Sequence, residues 1–96
     1  THGERILTRK ILLIDNDREL TKQLSNYLSL EGFQTSISED GESGLRLALN
    51  ESFDIIILEV LLPNTNGFKL VQTLRKHKQT PVLFLSGLET DIDWCR

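Results

Sequence analysis

Asp54-Ile55-Ile56-Ile57-Leu58-Glu59-Val60-Leu61-Leu62-Pro63 decides the fold. Ile55 to Leu58 is an unbroken aliphatic run between two acids, so neither side of the segment is polar. Continuous apolarity over strand length marks a strand covered on both faces, as in a parallel sheet. Pro63-Asn64-Thr65-Asn66-Gly67 follows as a loop rich in turn formers.

The same reading extends outward. Lys10-Ile11-Leu12-Leu13-Ile14-Asp15 is a second buried-strand run ending in an acid, and Val82-Leu83-Phe84-Leu85 is another, entered through Thr80-Pro81. Phe33 to Ser38 carries the aromatic and β-branched residues of a further strand. Asn16 and Asp17 are both able to cap a helix whose apolar face is Leu20, Leu24, Tyr27 and Leu28, with Gly32 as its stop. Asp40-Gly41 is a turn signal, and Leu45, Ala48 and Leu49 then make the apolar face of a second helix. Leu70, Val71 and Leu74 face a third, with Lys76-His77-Lys78 as a cationic last turn that complements the helix dipole. Glu89 to Arg96 is expected to begin a fourth helix. Strands alternating with helices predict a parallel sheet covered on both faces.

Composition narrows the function classes. The chain has 96 residues, 39% hydrophobic and 26% charged, which suits one small folded domain. Its eighteen leucines and lack of methionine imply an aliphatic core. The apolar runs are strand-sized, so no membrane span and no secretory leader are expected. The net charge is −3 and the basic residues are scattered, which argues against direct nucleic-acid contact. A single cysteine, Cys95, forms no internal disulfide and fits a reducing cytoplasm. Near a chain end it is either a free thiol or a crosslink between chains.

Ligands bind at the carboxyl ends of strands in open parallel sheets. Those ends deliver Asp15 and Asn16, Glu59, and Ser86. Two carboxylates, an amide and a hydroxyl on one rim suit a hard cation and a phosphate. The competing reading makes Asp15 and Asn16 helix caps, Glu59 a solvated acid and Ser86 a turn residue.

The segments Lys10 to Leu20, Glu31-Gly32-Phe33, Asp54 to Pro63 with Gly67-Phe68, and Thr80 to Ser86 together resemble the receiver domain of bacterial two-component response regulators. The opening segment looks most like the winged-helix transcription-factor subfamily. The resemblance implies an α/β, flavodoxin-like doubly wound parallel sheet with strand order 2-1-3-4, the fifth strand and last helix being absent. It implies a tail over residues 1–9 and a truncated receiver over 10–96.

The resemblance also assigns roles, and the chain departs from several. Asp15 matches the first acid of the Mg2+ site, but Asn16 stands where a direct carboxylate ligand is expected. The phosphoacceptor aspartate lies four residues before the loop proline, and that position is Glu59. Asp54 cannot replace it, lying roughly 16 Å away along the strand at about 3.3 Å per residue. Leu61 matches the position whose carbonyl reaches the metal, and Ser86 the hydroxyl that grips the phosphoryl group. The lysine and aromatic switch residue of a fifth strand have no counterpart.

These departures predict an atypical receiver, not an enzyme. Glu59 moves the carboxylate outward by about 1 Å, a displacement that can cost roughly 100-fold in rate. Asn16 removes a negative ligand and weakens Mg2+. A longer acid accepting a hydrogen bond from Ser86 would instead hold a partly activated arrangement without phosphate. Either way the expected role is cytoplasmic signal reception and protein–protein switching, with transcription as output in a longer protein. The expected partners are a histidine kinase or other signalling protein and a second copy of the chain. The dimer follows from Val82 to Leu85 as an open edge strand, with Leu88 to Arg96 exchanged or realigned. The alternatives are a Mg2+-dependent receiver that phosphorylates itself slowly, and a product that only dimerises.

The remaining residues have modest claims. His77 is expected in solvent, and His2 has no ligating neighbours. Trp94 either packs on a sheet face or meets another chain. Lys69, Arg75, Lys76 and Lys78 form a solvated face first and a surface for an acidic partner second.

Overall fold

The computed structural model describes residues 8–85 and 92–95. Strand β1 (Lys10–Ile14) leads into helix α1 (Arg18–Leu30), then β2 (Gln34–Ser38), α2 (Gly41–Asn50), β3 (Ile55–Glu59), α3 (Gly67–Leu74), β4 (Val82–Leu85) and β5 (Ile92–Cys95). The sheet order is β2-β1-β3-β4-β5. The first four strands are parallel, in keeping with the apolar runs of β1, β3 and β4, while β2 is polar and partly exposed at the sheet edge.

Each helix starts where a side chain takes up an otherwise unpaired backbone N–H. The Asp17 carboxylate accepts from Leu20 N at 3.1 Å, Asp40 from Ser43 N at 2.7 Å and Asn66 from Lys69 N at 2.9 Å. Helix α1 ends in a Schellman motif. Phe33 N donates to Leu28 O and Gly32 N to Ser29 O, both at 3.0 Å, with Gly32 at φ +96°. That left-handed angle is the reason for glycine there.

The principal core lies on one face of the sheet. Leu12 and Ile14, Ile56 and Leu58, and Val82 and Phe84 meet Ala48 of α2 and Leu70, Val71 and Leu74 of α3. Gly44 lets α2 approach Ile14, whose side-chain atoms would lie 2.6–3.0 Å from an added Cβ. On the opposite face Ile11 and Leu13 are buried, whereas Ile55, Ile57, Leu83 and Leu85 are only half-buried. No helix among the described residues is long and apolar enough to cross a membrane.

Three expectations change. Ile92–Cys95 is a strand, not part of a fourth helix, and it runs antiparallel beside β4, pairing Leu83 with Trp94 and Leu85 with Ile92. A fifth strand is therefore present, antiparallel rather than parallel, and β4 is not the open edge. The physical reason is β4's otherwise unpaired edge, which a short antiparallel segment satisfies, whereas the expected helix from Glu89 to Arg96 is too short to be stable by itself. The third difference concerns the basic run. Helix α3 ends at Leu74, and Lys76 to Lys78 lie in the turns beyond it.

Lys78 is used elsewhere. Its ammonium donates to Ala48 O at 2.9 Å and Glu51 O at 2.8 Å, so the cation closes the carboxyl end of α2. Lys10 adds a 3.5 Å ion pair to Glu51 and lies 5.2 Å from the Phe53 ring centroid.

Candidate functional site

The rim at the carboxyl ends of β1 and β3 collects the expected acids. Ile14 pairs with Leu58 in register, so Asp15 and Glu59 are the next residues on adjacent strands. Both are buried, at 3% and 7% exposure, although carboxylates seldom are unless partnered. Asp54 sits at the other end of β3, where its carboxylate accepts from Lys10 N at 2.7 Å. It has no part in the rim.

Asp15 is fixed by backbone. Its N–H donates to Ser38 O at 3.0 Å, and its Oδ1 accepts from Asp17 N at 3.0 Å. Among the described residues its Oδ2 is buried with no hydrogen-bond partner. Burial pushes the Asp15 carboxyl above the ordinary value of 3.8; the Asp17 N–H bond opposes this, and the Asp17 charge adds to it. A buried carboxylate oxygen without a donor costs free energy unless something positive faces it.

Glu59 is held differently. Its Oε2 accepts from Leu61 N at 3.1 Å, folding the acid back over the start of its own loop. Val60 N donates to Leu85 O at 3.1 Å, and Gly67 N to Val60 O at 2.8 Å, so the loop is tied at both ends. Gly67 is obligatory for close approach: an added Cβ would lie 2.9 Å from Glu59 O and 3.2 Å from Leu58 and Phe84 side-chain atoms.

The other expected residues divide. Asn16 is exposed and does not cap α1; that role belongs to Asp17. Leu61 is 56% exposed beside the Glu59 carboxylate. Ser86 lies outside the described residues, as does Glu89-Thr90-Asp91, and so does the Ser86–Glu59 hydrogen bond. His77 is exposed. Among the described residues no group of three or more His, Cys, Asp or Glu side chains converges to hold a metal.

A hard cation fits part of this rim. The unpaired Asp15 Oδ2 is the oxygen it would satisfy; Asn16, Glu59 and the Leu61 carbonyl are the further ligands that the resemblance assigns. The set is poorer in charge than three carboxylates would be. Two contributors escape sequence inspection: the Asp17 and Leu61 N–H groups, each orienting an acid two residues before it. Their signal is the short spacing that lets a carboxylate bend back onto its own chain.

Residues 11–95 match the family described as response regulator receiver domain. The transcriptional regulatory protein CpxR of Escherichia coli (strain K12) is 43% identical over 84 residues, 88% of this chain and 36% of that protein. The chain thus spans 36% of CpxR, and 28% of the Pseudomonas aeruginosa transcriptional activator protein PfeR, which is 33% identical. Among solved structures, the non-phosphorylated HemR receiver domain of Leptospira biflexa aligns with a TM-score of 0.77 and 28% identity, over 82% of this chain and 64% of that one. The response regulator TrrA of Thermotoga maritima, in complex with Mg2+ and BeF, aligns with a TM-score of 0.78 and 25% identity, over 82% and 70%.

Proposed function

The chain belongs to the response regulator receiver domain family, and from that premise we propose that it is an atypical receiver, residues 1–9 being its tail and 10–96 its signalling unit. It works by protein–protein switching and association, without phosphorylation or with little of it, rather than as an enzyme. Its setting is the cytoplasm, its partners a histidine kinase or other signalling protein and a second copy of itself. Transcriptional output belongs to the longer proteins of which CpxR is an example.

One observation carries this reading. The acid at the phosphoacceptor position is glutamate, and its carboxylate is already engaged with Leu61 N. A phosphoryl acceptor must be free and aligned to attack, and a displacement of about 1 Å is enough to cost roughly 100-fold. Asn16 offers a neutral amide where Mg2+ favours charge. With Glu59 tethered, the loop is held in one arrangement by the protein's own carboxylate.

The second reading, a slow Mg2+-dependent phosphoacceptor, draws on the unpaired Asp15 Oδ2. On this reading Asp15, Asn16, Glu59 and the Leu61 carbonyl would hold the cation, and it would supply charge neutralisation for phosphoryl transfer. Ser86 supplies the hydroxyl. Incubation with acetyl phosphate and Mg2+ followed by intact mass separates the two. Unchanged mass is expected; an adduct of about 80 Da, one phosphoryl group, supports the second reading. Glu59→Asp, which shortens the acid and loosens the Leu61 tether, is expected to gain that adduct.

A further inference from the structure

The charges of the chain are unevenly placed. All fourteen of its acids lie outside residues 60–88, a stretch that holds four of its eleven lysines and arginines. Helix α3 and the turns after it lie in that stretch, so this part is positive in a chain of net charge −3. Two of the four cations are engaged elsewhere. Lys78 is spent on α2, and Lys69 lies with Leu70 and Thr73 on the side of α3 that faces α2.

The other flank of α3 combines an apolar and a cationic group. Phe68 is 54% exposed there, its ring centroid 4.8 Å from that of the buried Phe84. Gln72 follows one turn later, and Arg75 and Lys76 a turn after that, because residues three and four apart share a helix side. Arg75 is the C-cap and keeps helical angles, φ −67° and ψ −14°. Gln72 and Lys76 are exposed, and Arg75 is half-buried.

The Arg75 guanidinium is only partly used. Its Nη1 donates to Lys78 O at 3.2 Å. Its Nε and Nη2 are buried with no acceptor among the described residues. These two donors form the side-on edge of the guanidinium, the edge that fits both oxygens of one carboxylate. A buried donor left unpaired costs free energy, which an arriving acceptor returns.

We propose that this flank, from Phe68 to Lys76, docks an acidic segment of a partner protein, an apolar side chain of the segment resting on Phe68 and a carboxylate gripping the side-on edge of Arg75. Aromatic residues and arginine are the types that carry most interface energy. The carboxylate draws the guanidinium outward: one bond to a neutral carbonyl gives way to two charge-assisted ones. No acid on α3 or in the turns after it repels the segment. The flank holds too few cations for a nucleic-acid backbone, which needs a clustered basic face. The surface is separate from the carboxylate rim and serves whether or not the chain accepts a phosphoryl group.

The test is fluorescence anisotropy of labelled synthetic peptides against the whole chain. One peptide sets a leucine among aspartates; a second has asparagine for each aspartate. The aspartate peptide should bind roughly tenfold more tightly, as one bidentate charge-assisted pair allows. Arg75→Gln keeps a donor for Lys78 O and should erase that preference with the circular dichroism spectrum unchanged. Gln72→Glu, at an exposed position, should weaken the aspartate peptide alone, and Phe68→Ser should weaken both. Asp93, opposite Phe84 in register, is the acid to control for. Asp93→Asn should leave the preference little changed; a gain as large as the Arg75→Gln loss would mean that the guanidinium is satisfied within the chain. That gain, equal binding of the two peptides, a preference that survives Arg75→Gln, insensitivity to Gln72→Glu or Phe68→Ser, tighter binding of a duplex oligonucleotide, or no binding at millimolar peptide would each overturn the proposal.

Discussion

Asp15 carries the sharpest conflict at the scale of a single residue. Its carboxyl is raised by burial, so the folded state binds a proton more readily than the unfolded chain does. Stability attached to this group is therefore fully present when Asp15 is protonated, below its unfolded value of 3.8, and declines as pH rises through the raised folded value. Asp15→Asn keeps an oxygen for Asp17 N and removes the charge. The urea midpoint of this variant should exceed that of the parent at neutral pH without divalent cations. The two midpoints should converge at about pH 3, where aspartates are largely protonated. If Mg2+ binds as the second reading requires, it should raise the parent's midpoint and leave the variant's unchanged. Asp40 has the opposite sign: its lowered carboxyl contributes stability above the unfolded value, lost as pH falls through the folded one.

Among the elements, α3 is the piece that joins the rim to the core. Gly67 begins it against Glu59 O, Leu58 and Phe84, with no room for a methyl group. Gly67→Ala should lower the urea midpoint by about 1–3 kcal/mol of stability, the usual cost of overpacking. It should also disturb the Glu59–Leu61 hydrogen bond, seen as a shift of the Leu61 amide resonance. The element boundaries show what a sequence carries. Asp17, Gly32 and the aliphatic runs are legible because caps and double-sided burial are local signals, whereas Asp40 reads as a turn residue and caps α2 only in the structure. Ile92–Cys95 is not legible: four residues have no measurable period, and their state is decided by the open side of β4. The role of Lys78 is hidden from the sequence for a related reason. Its charge is plain in the sequence, but the helix it completes ends about thirty residues earlier in the chain.

Across the whole molecule, the two faces of the sheet are unequal. One is sealed by α2 and α3; the other leaves Ile55, Ile57, Leu83 and Leu85 half-buried. β5 covers the edge of β4, so the proposed association would use this half-buried apolar face. Light scattering should give twice the chain mass at micromolar concentration. Leu83→Lys should return it to the mass of one chain with the circular dichroism spectrum retained; a monomeric parent would refute the dimer. The positions of Asp15 and Glu59 were readable in advance, because strand ends fix them. Their hydrogen bonds were not, since both partners are backbone groups that any residue would supply.

The Lys78 bridge has a consequence for local opening. A helix held at its first turn by Asp40 and at its last by a distant ammonium cannot fray independently from either end. Amide hydrogens in the last turn of α2 should therefore exchange only in the larger opening that also frees the turn after α3. With Lys78→Met those amides should exchange sooner than the rest of α2, while the first turn keeps its protection. The stitch makes two segments, separated by a whole strand and helix, one cooperative unit.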